Sequence, residues 1–360
     1  MNARALTQHT CKTVRRNVFI VMAGAACAAC GNASPDPFYA LGECRRVDLV
    51  EKGTETPIIG AEDMALDIAG GRLIVSAYDR RATEKAARKT EPPEGGLYAV
   101  DLGDLFDANT SLSVTPLLDR ERFAEGLRPH GVDYADGELA FVNRGYVRDG
   151  KQWRMQPSLV RINADSEIVE RMTHCAANDV AVVGAETIFT RDHAACGGLA
   201  RFYENAFARK KSGAYFDGGG ALIDGVAFAN GVIASNAGFA VAATREKAVH
   251  ILGKDDAGRA HHIIADVPGA PDNVTFASDG DIIAALHPNL IRLALNRKLG
   301  IGKAGSRIVR INAQSHEIEL LFDDPSGGAF SAATVGVETD RGLVAGSVTD
   351  AGVLVCEKTP

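Results

Sequence analysis

From residue 60 onward the chain alternates short apolar runs with polar turns. A Gly, Asp or Asn opens most units, and a run of about five to seven residues follows, which is the length of a strand. Leu73–Ala77, Leu97–Val100, Leu139–Val142, Leu159–Ile162, Val180–Val183 and Thr187–Thr190 fit this pattern. So do Val232–Ser235, Val249–Leu252, Ile282–Ala285, Ile308–Ile311, Leu343–Gly346 and Val353–Val355. β-Branched residues at such short intervals predict an all-β fold. No linker divides residues 44–360. That length is large for one sandwich but suits a β-propeller with four-stranded blades of roughly 40–50 residues each. Arg161-Ile-Asn-Ala-Asp-Ser-Glu-Ile and Arg310-Ile-Asn-Ala-Gln-Ser-His-Glu-Ile are near copies 149 residues apart. They read as one hairpin repeated three blades apart, which predicts a six-bladed propeller.

Three stretches break the pattern. Residues 80–94 are densely charged, end in Pro92-Pro93 and read as a solvated loop. Residues 198–221 mix basic and aromatic residues before Gly218-Gly-Gly220. Within 288–305, Leu290–Leu299 has amphipathic helical spacing. Inserts of this kind sit at blade ends, where they can roof a pocket.

The N-terminus follows another grammar. Arg4, Lys12, Arg15 and Arg16 precede the apolar run Val18–Cys30, with no acid among them. A basic start, a short apolar core and small residues before a polar break predict a secretory leader over residues 1–30. Ala28-Ala29-Cys30 resembles a lipoprotein cleavage site with Cys30 as the lipidated residue; Cys27, after Ala25-Ala26, is the alternative. The expected location is therefore outside the cytoplasm, in the periplasm or tethered to the outer membrane through lipid. Residues 31–43 read as a linker. Cys44, Cys175, Cys196 and Cys356 remain in the mature chain, and an even number in an exported protein predicts two disulfides with three possible connectivities. The net charge of −7 argues against a nucleic-acid partner.

Five polar clusters stand at or just before strand starts: Glu62-Asp63, His130-Gly131, Asn178-Asp179, Asn230-Gly231 and Asp272-Asn273. Taken singly, each is a turn signal or an exposed pair; Asn-Gly in particular is a common hairpin turn. Their spacings of 68, 48, 52 and 42 residues track one blade each, once the 80–94 insert is discounted. Residues that recur once per blade converge on a propeller's axis. Glu, Asp and Asn are hard oxygen donors, the set that suits Ca²⁺. Zn²⁺ would ask for clustered His or Cys.

Gly60-Ala-Glu-Asp63, Pro129-His-Gly-Val132, Asn178–Gly184, Thr190-Arg-Asp-His193, Phe228-Ala-Asn-Gly231, Asp272-Asn273 and His287-Pro-Asn289 occur in the order seen in paraoxonase/arylesterase-type proteins, which this chain resembles from about residue 44 to Cys356. That family is related to the gluconolactonase/regucalcin and strictosidine-synthase-like propellers. The resemblance implies a six-bladed propeller with two calcium ions in a central tunnel, hydrolysing lactones and aryl esters. It implies that Glu62, Asn178, Asn230, Asp272 and Asn273 hold a catalytic ion. Asp63, Asp179 and the Val132 carbonyl would hold a structural one. His130 would be the general base, His193 and His287 would line or support the site, and Phe228 would form a pocket wall. The family's second catalytic histidine is replaced here by Arg144, within Phe141-Val-Asn-Arg-Gly145, where it could meet developing negative charge. The resemblance also implies a Cys44–Cys356 bridge; Cys175 and Cys196 would then pair, a bridge the family motif does not supply. The expected activity is calcium-dependent hydrolysis of a small lactone or aryl ester. A sugar-lactone hydrolase of the gluconolactonase kind and a non-catalytic ligand-binding propeller are the alternatives, the latter resting on Arg144.

Overall fold

The computed structural model describes residues 36–163, 165–235, 238–254 and 258–358. The leader, with Cys30 and Cys27, lies outside them. The fold is all-β, built from four-stranded antiparallel sheets in a propeller-like arrangement. Four sheets stand alone, each a simple meander. Their first strands are Pro129–Ala135, Ala177–Val183, Ala229–Ser235 and Ala270–Phe276. The remaining strands form one nine-stranded sheet. One arm of it runs from Ala61–Asp67 to Ser111–Pro116, and the other runs from Ala333–Thr339 to Val353–Glu357.

The strand Cys44–Glu51 joins the two arms. Residues Cys44–Val47 pair antiparallel with Val353–Cys356, and Asp48–Glu51 pair parallel with Ser111–Val114. Cys44 lies directly opposite Cys356, and the two form a disulfide. Cys175 and Cys196 form the second bridge, 21 residues apart. Two disulfides fit an exported chain. Among the described residues no helix is long and apolar enough to cross a membrane.

The first strands of successive sheets pack side by side: Ala61–Asp67 against Pro129–Ala135, and so on round to Ala333–Thr339, which returns to Ala61–Asp67. Being walled on both faces, these inner strands are buried almost throughout instead of alternating. Between neighbouring sheets lie small aliphatic cores. Ile283, Ile308, Phe330 and Ala345 fill one, and Ile74, Leu97, Phe141 and Val160 another. Each fully buried side chain of this size contributes about 1.5–3 kcal/mol.

Every apolar run read from the sequence falls in a strand. The two Ile-Asn hairpins close the third strands of their sheets, Gln152–Ile162 and Ser306–Ile311. Leu290–Leu299 is the predicted helix, capped by Asn289 and ended by left-handed Gly300. Only part of its apolar side packs inward: Leu293 meets Ala304, Ala332 and Val348, whereas Ile291, Leu295 and Leu299 are exposed and Asn296 is its buried residue.

Two expectations need correction. The charged stretch 80–94 is not a solvated loop. It carries the helix Arg80–Ala86, and its Pro92 and Pro93 carbonyls accept hydrogen bonds from the fully buried Arg128 guanidinium. A charge run reads as solvated only while its distant partner is unknown. The linker also ends earlier than residue 43. Phe38 and Tyr39 hydrogen-bond to Leu320 and Leu321, and Tyr39 is buried.

Candidate functional site

The five sequence clusters lie inside the inner strands, not ahead of them, and a register irregularity falls on each. Pairing with the next strand slips between Ala61 and Asp63, Pro129 and Val132, Ala177 and Val180, Ala229 and Val232, and Pro271 and Val274. A bulge inserts an unpaired residue and re-aims side chains that a regular strand would send to opposite faces. Such a slip also occurs between Ala333 and Val335, around Thr334, which the sequence reading missed.

The bulges interlock. Thr334 Oγ1 donates to the Glu62 carbonyl at 2.7 Å, and Asn273 Nδ2 donates to the same oxygen at 3.1 Å. Asn230 Nδ2 donates to Asp272 Oδ1 and, at 3.2 Å, to Thr244 Oγ1. Asp63 accepts from the Val132 N–H at 2.8 Å, and Asp179 accepts from the Val232 N–H at 2.7 Å. The approach is close enough that a Cβ on Gly131 would sit 2.1 Å from Asp179 Oδ1. Asn178 joins through its backbone, whose carbonyl oxygen would lie 2.8 Å from that Cβ. Glu62, Asp63, Asn178, Asp179, Asn230, Asp272 and Asn273 are all buried.

Three histidine–carboxylate pairs accompany these residues. His130 Nδ1 lies 2.6 Å from Glu62 Oε2, His193 Nδ1 2.7 Å from Asp192 Oδ1, and His287 Nε2 2.6 Å from Asp272 Oδ2. The first pair is close but poorly aligned for a hydrogen bond, so Glu62 Oε2 and both His130 ring nitrogens lack hydrogen-bond partners. Asn230 Oδ1, His193 Nε2 and His287 Nδ1 are likewise unpartnered. Phe228, held at positive φ, packs edge-on against the His193 ring.

Electrostatics separate the acids. Burial pushes Glu62 up, but His130, Arg80 and Arg144 outweigh it and hold it below the usual carboxylate range. Burial and then the neighbouring Asp179 push Asp63 well above that range. Asp179 is raised too, chiefly by burial, although the Val232 and Val180 N–H groups pull the other way. His130 is pushed down to about 3 by burial and then by Arg144, with Glu62 opposing. The imidazole is therefore neutral at ordinary pH.

A cavity of about 260 Å³ is lined by Tyr78, Arg80, Arg144, Asp192 and Arg297, among others; Glu62 and His130 do not line it, and Tyr78 stands between the cavity and the His130 ring. Arg144 is 4% exposed; its Nη1 donates to Tyr78 Oη at 3.2 Å, and its Nε has no partner. Tyr78 in turn meets the His130 ring edge-on at 6.2 Å. The three inserts converge here. Arg80 comes from the first, Arg201 from the second and Arg297 from the third. Of these lining residues the sequence reading had only Arg144 and, within its His193 motif, Asp192.

No family model matches this chain, and no curated protein does so. Solved structures do. One, described provisionally as a gluconolactonase, shares 15% identity at a TM-score of 0.50, over 89% of this chain and 94% of that one. The chain has that protein's fold. A gluconolactonase from Xanthomonas campestris matches at 15% identity and a TM-score of 0.47, over 83% of this chain and 86% of its own. The periplasmic gluconolactonase of Pseudomonas aeruginosa matches at 9% and 0.41, over the same shares. The similarity in fold is thus to gluconolactonase-like structures, and the paraoxonase resemblance stays one of sequence motifs.

Proposed function

We propose that this chain is a lactone hydrolase, a kind of carboxylic-ester hydrolase, acting on sugar-type lactones. The circuit of inner strands is read as a six-bladed propeller in which the two arms of the nine-stranded sheet count as separate blades. The observation that carries the reading is the buried Glu62–His130 pair, with a neutral imidazole and a free Nε2, joined through Tyr78 to a cavity of about 260 Å³. Fold similarity to a gluconolactonase-like protein supports it; aryl esters, the paraoxonase-type substrates, are the second choice.

The residues fit a hard cation. Glu62 Oε2 and Asn230 Oδ1 are buried oxygens without hydrogen-bond partners, and buried polar atoms are rarely left so. We assign Glu62, Asn178, Asn230, Asp272 and Asn273 to one calcium ion. Asp63, Asp179 and the Val132 carbonyl are assigned to a second, because two buried carboxylates side by side call for a positive charge. When bound, calcium would supply a Lewis acid for the carbonyl oxygen. His130 Nε2 takes the proton of the attacking water, while Glu62 faces the opposite ring nitrogen. Arg144, steadied by Tyr78, offers positive charge to the oxyanion. His287 orients Asp272.

Purified protein assayed on δ-gluconolactone and phenyl acetate, with and without EDTA, tests this. Lactone turnover lost on chelation is expected, and His130→Gln should reduce it by roughly 10²–10⁴-fold. No turnover of any lactone, or full turnover after metal stripping, would overturn the reading or its calcium component respectively.

A further inference from the structure

The cavity carries more positive charge than lactone hydrolysis requires. Arg80, Arg144, Arg201 and Arg297 line it against two carboxylates, Glu84 and Asp192. Arg201 and His193 both engage Asp192. Glu84 Oε1 is shared, lying 3.5 Å from Arg80 Nε and 3.2 Å from Arg297 Nη1. Arg144 has no carboxylate partner within ion-pair distance among the described residues; it donates to a neutral phenol and leaves a buried Nε unpaired. Glu62 does not line the cavity, although Arg80 and Arg144 lie near enough to lower it, and it is assigned above to calcium. The guanidiniums repel one another: Arg297 is pushed down to about 10, first by Arg80 and then by burial. Arg144 is buried and the other three guanidiniums are half-buried, and a cluster of like charges in such a setting attracts an anion. A developing oxyanion accounts for one of the surplus charges and leaves another.

Resting on the lactone-hydrolase reading, we infer that the arginine cavity selects lactones bearing a second, remote anionic oxygen group, a carboxylate or a phosphate. Guanidinium forks match both groups in geometry. Each insert contributes one of these arginines, so the loops that vary between propellers would set the selectivity. The Arg81 side chain ties two inserts together: its Nη2 donates to the Asn296 carbonyl at 2.7 Å and its Nε to the Arg297 carbonyl at 3.3 Å. Arg80 and Arg297 are thereby held around one Glu84.

Three substrates decide the matter: neutral δ-gluconolactone, the carboxylate-bearing lactone of glucaric acid, and 6-phosphogluconolactone. One charged lactone should exceed the neutral one in kcat/KM by roughly tenfold or more, the scale of a charge-assisted hydrogen bond; which one does so identifies the group. Arg297→Gln should bring the ratio toward one by raising KM for the charged substrate. Arg80→Gln should do the same and serves if the first variant melts early. A neutral lactone turned over as well as or better than both charged ones overturns the inference and leaves the lactonase reading standing. If no lactone is hydrolysed, that reading fails, and calorimetry with glucarate and inorganic phosphate decides the cavity. Binding weakened at least tenfold by Arg297→Gln sustains an anion site, and no binding overturns it.

Discussion

The hairpins at Arg161-Ile-Asn163 and Arg310-Ile-Asn312 are near copies in sequence, whereas Glu62, His130, Asn178, Asn230, Asp272 and Thr334 recur in position and share only fragments, such as Ala-Asn-x-Val at Asn178 and Asn230. The hairpins do one job twice. Asn163 Oδ1 accepts from the Asp165 and Glu167 N–H groups, and Asn312 Oδ1 accepts from those of Gln314 and Ser315. Arg161 pairs with Glu138, and Arg310 with Asp279, Asp281 and Glu338. Ser166 and His316 both turn through left-handed backbone, at φ 63° and 60°. The second loop is one residue longer, closing from Asn312 to Glu317 where the first closes from Asn163 to Glu167, yet the same Asn does the capping. On the inner strands the shared feature is the bulge, and each side chain it re-aims meets a different neighbour. Repetition of residues thus marks the periphery, and repetition of backbone irregularity marks the axis.

The acids assigned to the second ion and those of the rim are tuned in opposite senses, with Glu62 on the inner strands lowered like the rim. On the inner strands Asp63 and Asp179 are raised. At the rim, burial pushes Asp281 up, but hydrogen bonds from Arg310 and the Ala313 N–H outweigh it, and the carboxyl lies below its usual value.

The largest expected effect lies at the axis. Glu62→Gln should cut lactone turnover by roughly 10²–10⁴-fold, the range for losing acid–base catalysis, while circular dichroism shows a folded protein. An active variant would break the contrast between the regions. Gly131→Ala comes next. Its methyl would lie 2.1 Å from Asp179 Oδ1 and 2.3 Å from Asp179 Cα, so urea unfolding should show a loss of about 1–3 kcal/mol. The smallest effect belongs to the rim. Asp281→Asn should cost roughly 1 kcal/mol or less at neutral pH and leave turnover unchanged. Because the folded pKa of Asp281 is depressed, its contribution is present above the unfolded value near 4 and fades as pH falls. The melting-temperature gap between wild type and variant should therefore close in acid; a gap that widens there would contradict the assignment.

Strands, the Leu290–Leu299 helix and the polar clusters were legible because each is written in local residue types. The Cys44–Cys356 bridge agrees with the pairing implied by resemblance, and Cys175–Cys196 joins the two cysteines that this leaves over. The bulges were not legible, since no composition marks a slipped register. Thr334, within Ser331-Ala-Ala-Thr334, carries no turn signal and gains meaning only from the Glu62 carbonyl far away in sequence. Arg80 read as solvated charge because Arg297, which shares Glu84 with it, and the anchoring Arg128 lie on distant segments.

The strand Cys44–Glu51 has a consequence in time. A chain made from its N-terminus offers this strand first, yet its antiparallel partner, Val353–Cys356, is made last. Ring closure and the bridge spanning 312 residues must wait for the finished polypeptide. Until then the edges flanking the gap are open, exposed to the pairing errors that unfilled strand edges invite. An oxidant acting too early would find Cys44 without Cys356, leaving Cys175 and Cys196 as wrong partners within reach.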